Sequence, residues 1–139
     1  MNRPTNEVLG RLAFLANTRG IIPDPIDATR VNVGNIALGK ASTTIYTVPA
    51  NKLFFLTNVT LQSRESAAAA GEADVAVYNG SSVLQYYIQR QFYDVAGHRD
   101  LSQQFIPALE LPAGWYVVVT NNHANIDSAA FITGWLESV

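Results

Sequence analysis

The residues that could do acid–base or metal chemistry are few, and three of them lie close together. Asp94, His98 and Asp100 surround Gly97. Carboxylates and an imidazole in such a group can bind a metal ion or exchange a proton. The same composition is typical of a polar surface loop between two strands, and we favour that interpretation.

A second polar segment, residues 121–125, contains His123 and is followed by Asp127. Asp127 and the neighbouring amide oxygens could bind a cation, but the repeated acids with a glycine that form a calcium loop are absent. We expect a turn here. No catalytic, cofactor-binding or metal-binding residue is assigned, and neither enzymatic activity nor a cofactor is expected.

Two enzyme classes are excluded by missing residues. The chain has two histidines, and neither lies in a nucleophile motif such as Gly-x-Ser-x-Gly. Pro112-Ala113-Gly114 resembles the Pro-x-Gly of the metal-dependent cupins, but Val117 occupies the position of that family's histidine. Without imidazole ligands, this segment is interpreted as a turn.

Composition favours one domain that binds partners. The chain has 139 residues, of which 48% are hydrophobic and 14% charged, whereas roughly a quarter of a typical soluble protein is charged. The net charge is −2 and no basic cluster occurs, so nucleic-acid binding is not expected. There is no cysteine. The polar N-terminus predicts neither a signal peptide nor a membrane span.

Residues 5–18 have the pattern of an amphipathic helix. Thr5 or Asn6 can cap its start, and Gly20 can end it. One face carries apolar side chains at helical spacing, namely Val8, Leu9, Leu12, Leu15 and Ala16. Phe14 lies off this face. Either the helix packs on its own domain, or it is an arm that docks on a neighbouring subunit.

Residues 21–27 contain two prolines, which favour extended backbone, and we expect an extended strap. Its apolar residues Ile21, Ile22 and Ile26 need a groove on the same chain or on another. An ordinary surface loop with a few tucked isoleucines is the alternative.

From Ser42 onward the pattern predicts strands, rich in β-branched and aromatic residues and separated by turn signals. The predicted strands are Thr43–Val48, Lys52–Gln62, Ala73–Asn79, Val83–Tyr93, Trp115–Asn121 and Ala129–Leu136. No crossover helix separates them, so antiparallel sheets are expected. Asn79-Gly80 predicts a tight turn, and residues 66–71 a flexible loop.

An internal repeat supports a sandwich of two sheets. Val48-Pro49-Ala50-Asn51-Lys52 and Leu111-Pro112-Ala113-Gly114-Trp115 each lead into an apolar strand and then a Thr-Asn pair. Equivalent turns of this kind are expected where two strands enter a sandwich at the same end.

The alternation of side chains along each strand predicts which residues face the core and which face outward. In residues 83–93, Leu84, Tyr86, Ile88 and Phe92 are expected in the core, and the opposite face is a recognition surface made of Gln85, Tyr87, Gln89, Gln91 and Tyr93. With Tyr116, Trp115 and Trp135, this surface could bind a glycan.

The strand that begins at Lys52 is apolar on both faces. Leu53, Phe55, Val59 and Leu61 are expected inside, which turns Phe54 and Leu56 outward. Trp115, Val117 and Val119 likewise alternate with Tyr116 and Val118. Strands that are apolar on both faces indicate an oligomer or a larger assembly.

The two proline turns, together with the closing Phe131-Ile132-Thr133-Gly134-Trp135-Leu136-Glu137, resemble small jelly-roll structural proteins of tailed bacteriophages, among them capsid decoration (cement) proteins and tail or head-fibre domains. The resemblance covers residues 42–139. It implies a jelly-roll sandwich, trimers, and an N-terminal arm that reaches neighbouring subunits.

The sequence therefore predicts an all-β protein with an N-terminal helix and extended arm at residues 1–40 and an antiparallel jelly-roll β-sandwich at 41–139. The expected function is that of a non-enzymatic virion protein, assembled in the host cytoplasm, that cements a capsid. Its partners are the major capsid protein or another virion protein and copies of itself, with a trimer favoured and neither nucleic acid nor membrane. The predicted interface residues are Leu9, Leu12, Phe14, Ile21, Ile22, Ile26, Phe54 and Leu56. A tail, neck or fibre protein and a glycan-binding receptor module remain the alternatives.

Overall fold

The computed structural model describes residues 20–139, which form eight β-strands. The strands are β1 (Thr29–Leu38), β2 (Ala41–Thr47), β3 (Lys52–Glu65), β4 (Gly71–Tyr78), β5 (Leu84–Tyr93), β6 (Gly97–Leu111), β7 (Tyr116–Asn121) and β8 (Ile126–Ser138). Within this range no helix is long and apolar enough to span a membrane. The predicted helix at 5–18, with Leu9, Leu12 and Phe14, lies outside the described residues.

The strands form two four-stranded sheets that pack face to face. Sheet A has the order β1-β8-β3-β6 and sheet B the order β2-β7-β4-β5. Every paired strand is antiparallel. The order is that of a jelly roll, in which the chain passes repeatedly between the sheets. The prediction of an all-β antiparallel sandwich is confirmed.

Six of the eight strands are those predicted from the sequence, and β1 and β6 were missed. β1 pairs with β8 along its whole length, from Thr29 opposite Leu136 to Leu38 opposite Asp127. The predicted boundary between arm and sandwich at residue 40 is therefore wrong, because the sandwich already includes Thr29. Asn32, Gly34 and Asn35 weaken the apolar alternation that would have marked β1 as a strand.

The repeated proline turns lie side by side, as predicted. In both repeats the fourth residue has a positive φ, 59° at Asn51 and 82° at Gly114, a conformation that asparagine and glycine adopt most readily. The turns are joined through the backbone, since Val48 N donates to Trp115 O and Gly114 N donates to Val48 O, both at 2.9 Å. Asn79-Gly80 forms the predicted turn, between β4 and β5.

A bulge at Thr57 reverses the predicted faces of the first part of β3. The register of β3 against both β6 and β8 shifts between Leu56 and Asn58. Phe54 and Leu56 therefore point inward and are fully buried. Their prediction as partner-interface residues is wrong, because the extra residue lets both these side chains and Val59 face the core.

The outward side chains at the start of β3 are covered by the chain itself. Phe55 stacks on Trp135 with ring centroids 5.0 Å apart, and Ala108 completes a second, smaller apolar cluster on the outer face of sheet A. Leu53 and Ala28 pack against it. This cluster accounts for the apolar character of both faces of β3 without a second subunit.

Two further bulges divide the predicted recognition surface on β5. The register of β4 against β5 shifts at Ile88 and again at Gln85. Gln89, Gln91 and Tyr93 point into the sandwich and are buried. The prediction that they form one exposed surface with Gln85 and Tyr87 is therefore wrong, because each bulged residue reverses the alternation.

The buried amides of β5 bond across the interior. Gln89 Nε2 donates to Val59 O at 3.2 Å, and Gln91 Nε2 donates to Leu61 O at 3.3 Å. Ser63 Oγ bonds to the Gln91 Oε1 and Tyr93 OH groups. The interior near β5 is therefore polar, and the main apolar core lies beside it, with further buried polar side chains at Glu65, Asn121 and Ser128.

Candidate functional site

The three residues that could have formed an acid–base group do not come together as one site. His98 and Asp100 lie in β6, opposite Arg64 and Gln62 of β3, while Asp94 lies in the turn before β6. All three are exposed. Among residues 20–139, no three histidine or carboxylate side chains are close enough to hold a metal ion.

Asp127 and the polar segment before it have structural contacts. Asp127 Oδ1 accepts from Gly39 N at 2.9 Å, and its Oδ2 lies 3.7 Å from Arg64 Nη2. His123 Nδ1 accepts from Asn125 N at 3.2 Å, within the predicted turn. These bonds fix the turns at one end of the sandwich.

The aromatic residues considered for glycan binding lie in different parts of the fold. Tyr93 and Trp135 are buried, and Trp115 packs against the main core. Tyr87 and Tyr116 are on the outer face of sheet B, on β5 and β7. The five side chains therefore do not form one sugar-binding surface.

Three isoleucines are exposed on a well-anchored turn at residues 20–28. Ile21, Ile22 and Ile26 are 55%, 50% and 63% exposed. The prediction of an extended strap is wrong for the second half of this segment, because Ala28 N donates to Asp24 O at 2.9 Å and closes a turn. Asp24 Oδ1 also accepts from Ile26 N at 2.9 Å, as expected of an Asx turn.

This isoleucine turn is fixed to the sandwich at both ends. At its start Gly20 O accepts from Ala108 N of β6. At its end the Asp27 carboxylate accepts from Ser138 N and from Ser138 Oγ. Three large apolar side chains are thus held at the surface by part-buried and exposed hydrogen bonds, an arrangement suited to contact with another protein.

A cavity of about 380 Å³ lies beside the isoleucine turn, on the outer face of sheet A. Ile21, Pro23 and Trp135 form its apolar walls, and Thr57, Thr133 and Arg30 add polar atoms. Its size suits one or two inserted side chains.

A second exposed apolar strip lies on the outer face of sheet A. Ile36 and Leu38 of β1 are 53% and 65% exposed, and Phe131 of β8 is 46% exposed. Gly34 lies directly opposite Phe131, and a Cβ at this position would lie 2.3 Å from the Phe131 ring. The ring thus rests on the glycine.

Sequence reasoning missed a charged and aromatic group on the outer face of sheet B. Arg90 of β5 forms a paired contact with Glu72 of β4, at 2.8 Å from Nε and 2.9 Å from Nη2. The Arg90 guanidinium lies 4.2 Å from the Tyr87 ring centroid and 5.0 Å from that of Phe92. Nearby, Tyr78 and Tyr116 stack with centroids 5.5 Å apart.

The Asp74 carboxyl, which neighbours Glu72 and Arg90, has a pKa near neutral pH. Burial raises the pKa of Asp74 to about 7, and the neighbouring Glu72 carboxylate adds to the rise through repulsion and a hydrogen bond, whereas Arg90 opposes it. The signal available in the sequence was Glu72 and Asp74 alternating along β4. Their partner Arg90 could not be placed, because the bulge at Ile88 decides which face it occupies.

Comparison with known proteins shows fold similarity at a distance. No family model matches the chain, and no curated protein matches it. One similar solved structure is a pentameric capsid protein from metagenomic phage sequences, with 14% identity, coverage of 100% of this chain and 78% of that chain, and a TM-score of 0.37. The cowpea mosaic virus top component has 13% identity, coverage of 84% and 81%, and a TM-score of 0.42.

A Bacillus endospore appendage protein, which forms disulfide-linked pili, is also similar, with 8% identity, coverage of 81% and 89%, and a TM-score of 0.40. Viral capsid proteins and a pilus protein thus occur among the similar structures. At these identities and scores the comparisons carry no argument about function.

Proposed function

We propose that the protein is a non-enzymatic structural protein of a virion, and more specifically a decoration protein that cements a bacteriophage capsid. The observation that supports this proposal best is the isoleucine turn, because it holds Ile21, Ile22 and Ile26 at the surface on a rigid support. Leu9, Leu12 and Phe14, which precede the turn in sequence, would extend the same contact.

Burial of these apolar side chains would contribute most of the binding free energy of the capsid contact. Fully burying an isoleucine contributes about 1.5–3 kcal/mol, so burying the exposed half of each contributes about 1 kcal/mol before ordering costs. The neighbouring cavity beside Trp135 can receive a side chain of the partner. An anchored turn loses little conformational entropy on binding, which favours its use as a contact.

Self-association into a trimer is part of the proposal. The resemblance to phage decoration proteins implies the trimer. The buried positions of Phe54 and Leu56 remove one sequence-based reason for an oligomer, but the strip of Ile36, Leu38 and Phe131 supplies another exposed apolar surface. Burial of such a strip between copies would remove apolar surface from water.

The test compares two matched variants of the full-length chain on virus particles assembled without this protein. Ile26→Ser removes an exposed side chain from the isoleucine turn, and Val83→Ser removes one of similar exposure, 55%, from the β4–β5 turn. We expect Ile26→Ser to weaken particle binding about fivefold, the equivalent of about 1 kcal/mol, and Val83→Ser to leave binding unchanged.

Immunogold labelling of complete virions places the protein on the head or elsewhere. Label on the tail or neck would replace the decoration role with a tail role. Absence of label, together with no binding of the unmodified chain to particles, would overturn the virion proposal. Light scattering on the unmodified chain tests the trimer separately.

One observation favours glycan binding as a second candidate function. Tyr87 and Phe92 expose aromatic rings beside the Arg90–Glu72 pair, a combination that can stack on a sugar and bond its hydroxyls. A glycan array probed with the unmodified chain and with Tyr87→Ala tests it. Hits that Tyr87→Ala abolishes would favour this function, and an array without hits would remove it.

A further inference from the structure

The sandwich is closed on one side and open on the other. On the closed side Asn35 Nδ2 of β1 donates to Thr44 O of β2 at 3.0 Å, and the two strands lie close together. On the other side β5 and β6 are the last strands of sheets B and A, and they approach each other much less. We call the gap between β5 and β6 the open side.

An interior side chain is exposed at the open side. Leu61 of β3 and Leu101 of β6 are direct partners in the ladder and therefore face the same way. Leu61 is fully buried, whereas Leu101 is 42% exposed. A cleft of about 420 Å³ lies here, lined by Leu101 and Phe92 with polar neighbours. The apolar interior of the sandwich is thus uncovered along β6.

The open side also presents backbone groups for a further strand. A terminal strand of a sheet has one edge whose N–H and C=O groups have no ladder partner. The C-terminal part of β6 cannot pair with a further strand, because Pro107 has no N–H and Ala108 N already donates to Gly20 O. Among residues 20–139, no such contact is made by the outer edge of Gly97–Phe105.

Two arginines line the cleft, and one of them, Arg99, has no carboxylate paired with it among residues 20–139. The Arg99 guanidinium lies 4.7 Å from the Tyr93 ring centroid. Arg90 also lines the cleft, and its contact with Glu72 uses Nε and Nη2, which leaves Nη1 for another acceptor. Asp100 contributes one carboxylate.

We propose that the open side binds an extended, acidic polypeptide segment of a partner protein, which adds as a strand to the edge of β6. Alternate side chains of such a strand point to opposite faces. Arg99 lies two residues before Leu101 in β6 and faces the same way, so the set of side chains on that face would both cover Leu101 and bring a carboxylate to Arg99. Phe92 and Arg90 of β5 would border the segment on its other side. Backbone bonds supply affinity in this mode of recognition, and the side chains supply specificity.

A polypeptide fits this site better than a polysaccharide, because the unpaired edge offers alternating donors and acceptors at the spacing of a β-ladder. The arginines favour acidic over basic segments. This surface is distinct from the isoleucine turn, so the proposal does not depend on a virion location.

The test is an NMR titration of the full-length, ¹⁵N-labelled chain with the blocked hexapeptide Val-Thr-Glu-Thr-Val-Thr, which as a strand places valine and glutamate on the same face. We expect the largest amide shifts in Gly97–Phe105 of β6 and in β5. Arg99→Gln should weaken binding at least about fivefold, as expected for one charge-assisted contact. Arg99→Lys, which keeps the charge, should weaken it less. Arg30→Gln, an exposed arginine of β1, is the matched control and should change nothing.

Three comparison ligands decide the class of occupant. The same hexapeptide with lysine in place of glutamate, if it bound as tightly as the glutamate peptide, would overturn the role of the arginines. If inorganic phosphate produces the same shifts at equal or lower concentration, the site binds an adventitious ion only. If polygalacturonate does so, the occupant is an anionic polysaccharide. Either result would overturn the proposal of a polypeptide. Shifts confined to β1 and β2, or no shifts with any ligand, would overturn the site itself.

Discussion

The two sides of the sandwich differ in how the edge strands of the two sheets are covered. On the closed side the edges of β1 and β2 are joined by side-chain bonds and by a tight turn at Gly39, and the buried Asn121 side chain bonds to backbone carbonyls behind them. On the open side β5 brings glutamines and a tyrosine into the interior, and Leu101 remains in contact with solvent. We therefore expect the closed side to contribute more to stability and the open side to be available for binding.

The strongest test of this comparison is Asn121→Ala. The buried Asn121 side chain donates from Nδ2 to Ala37 O at 2.8 Å, to Ile126 O at 3.0 Å and to Gly39 O at 3.1 Å. Its loss leaves several buried carbonyls without a donor, at about 1–3 kcal/mol each. We expect unfolding free energy to fall by at least about 3 kcal/mol in urea denaturation.

The control for this change is Asn32→Ala, the same substitution at an exposed position of β1. It should shift the urea midpoint very little. If Asn32→Ala and Asn121→Ala proved equally costly, the loss would reflect the removal of any asparagine, and the assignment of Asn121 as the clamp of the closed side would fail.

A matched pair of leucines measures the difference between interior and open side within one ladder. Leu61→Ala removes a fully buried side chain and should cost about 3 kcal/mol. Leu101→Ala removes its ladder partner and should cost less than about 1 kcal/mol, since solvent already reaches that side chain. Chemical denaturation of both variants gives the two values.

Equal costs for the two leucines would show that Leu101 is covered in solution. That result would point to an occupant of the open side in the free protein, for example a second copy. A concentration dependence of the Leu101→Ala midpoint would then separate self-association from coverage within one chain.

The sequence predicts the sandwich well because its strands and turns are local signals. Alternating β-branched residues marked six strands, and the repeated proline turns correctly placed two strand entries at one end. β1 was missed because Asn32, Gly34 and Asn35 interrupt its apolar pattern. β6 was missed because it is exposed on both faces over much of its length, so no alternation marks it.

The candidate sites were harder to predict, because one extra residue in a strand changes which face of the sheet the neighbouring side chains occupy. The bulge at Thr57 moved Phe54 and Leu56 inward, and the bulge at Ile88 moved Gln89 and Gln91 inward. Bulge positions depend on the partner strands, and the sequence of a single strand does not contain that information. Ile21, Ile22 and Ile26 were identified as exposed candidates because their surroundings lack alternation altogether.

The sheet B face next to the open side should make stability depend on pH. The folded chain holds the Asp74 proton up to about pH 7, whereas the unfolded chain releases it near pH 4. Unfolding therefore releases a proton between these values, and stability falls as the pH rises from about 4 to 7 and then levels off. Allowing for solvent screening, we expect a fall of about 1 kcal/mol.

Asp74→Asn should remove this fall, as measured by urea midpoints from pH 4 to 8. Asp94→Asn, an exposed aspartate of the β5–β6 turn, is the matched control and should leave it in place. A fall that persists in Asp74→Asn would assign the titration to another group.

The smallest expected effect tests the closed side at its surface. Asn35→Ala removes the bond from Asn35 Nδ2 to Thr44 O, which joins the edges of the two sheets but is exposed to water. Water replaces such a partner readily, so the cost should be about 0.5 kcal/mol. Hydrogen exchange is the more sensitive measurement, because separation of the edges should speed exchange in β1 and β2 and leave β5 and β6 unchanged. Faster exchange in β5 and β6 instead would mean that the two sides open together. The assignment of stability to the closed side and of binding to the open side would then be wrong.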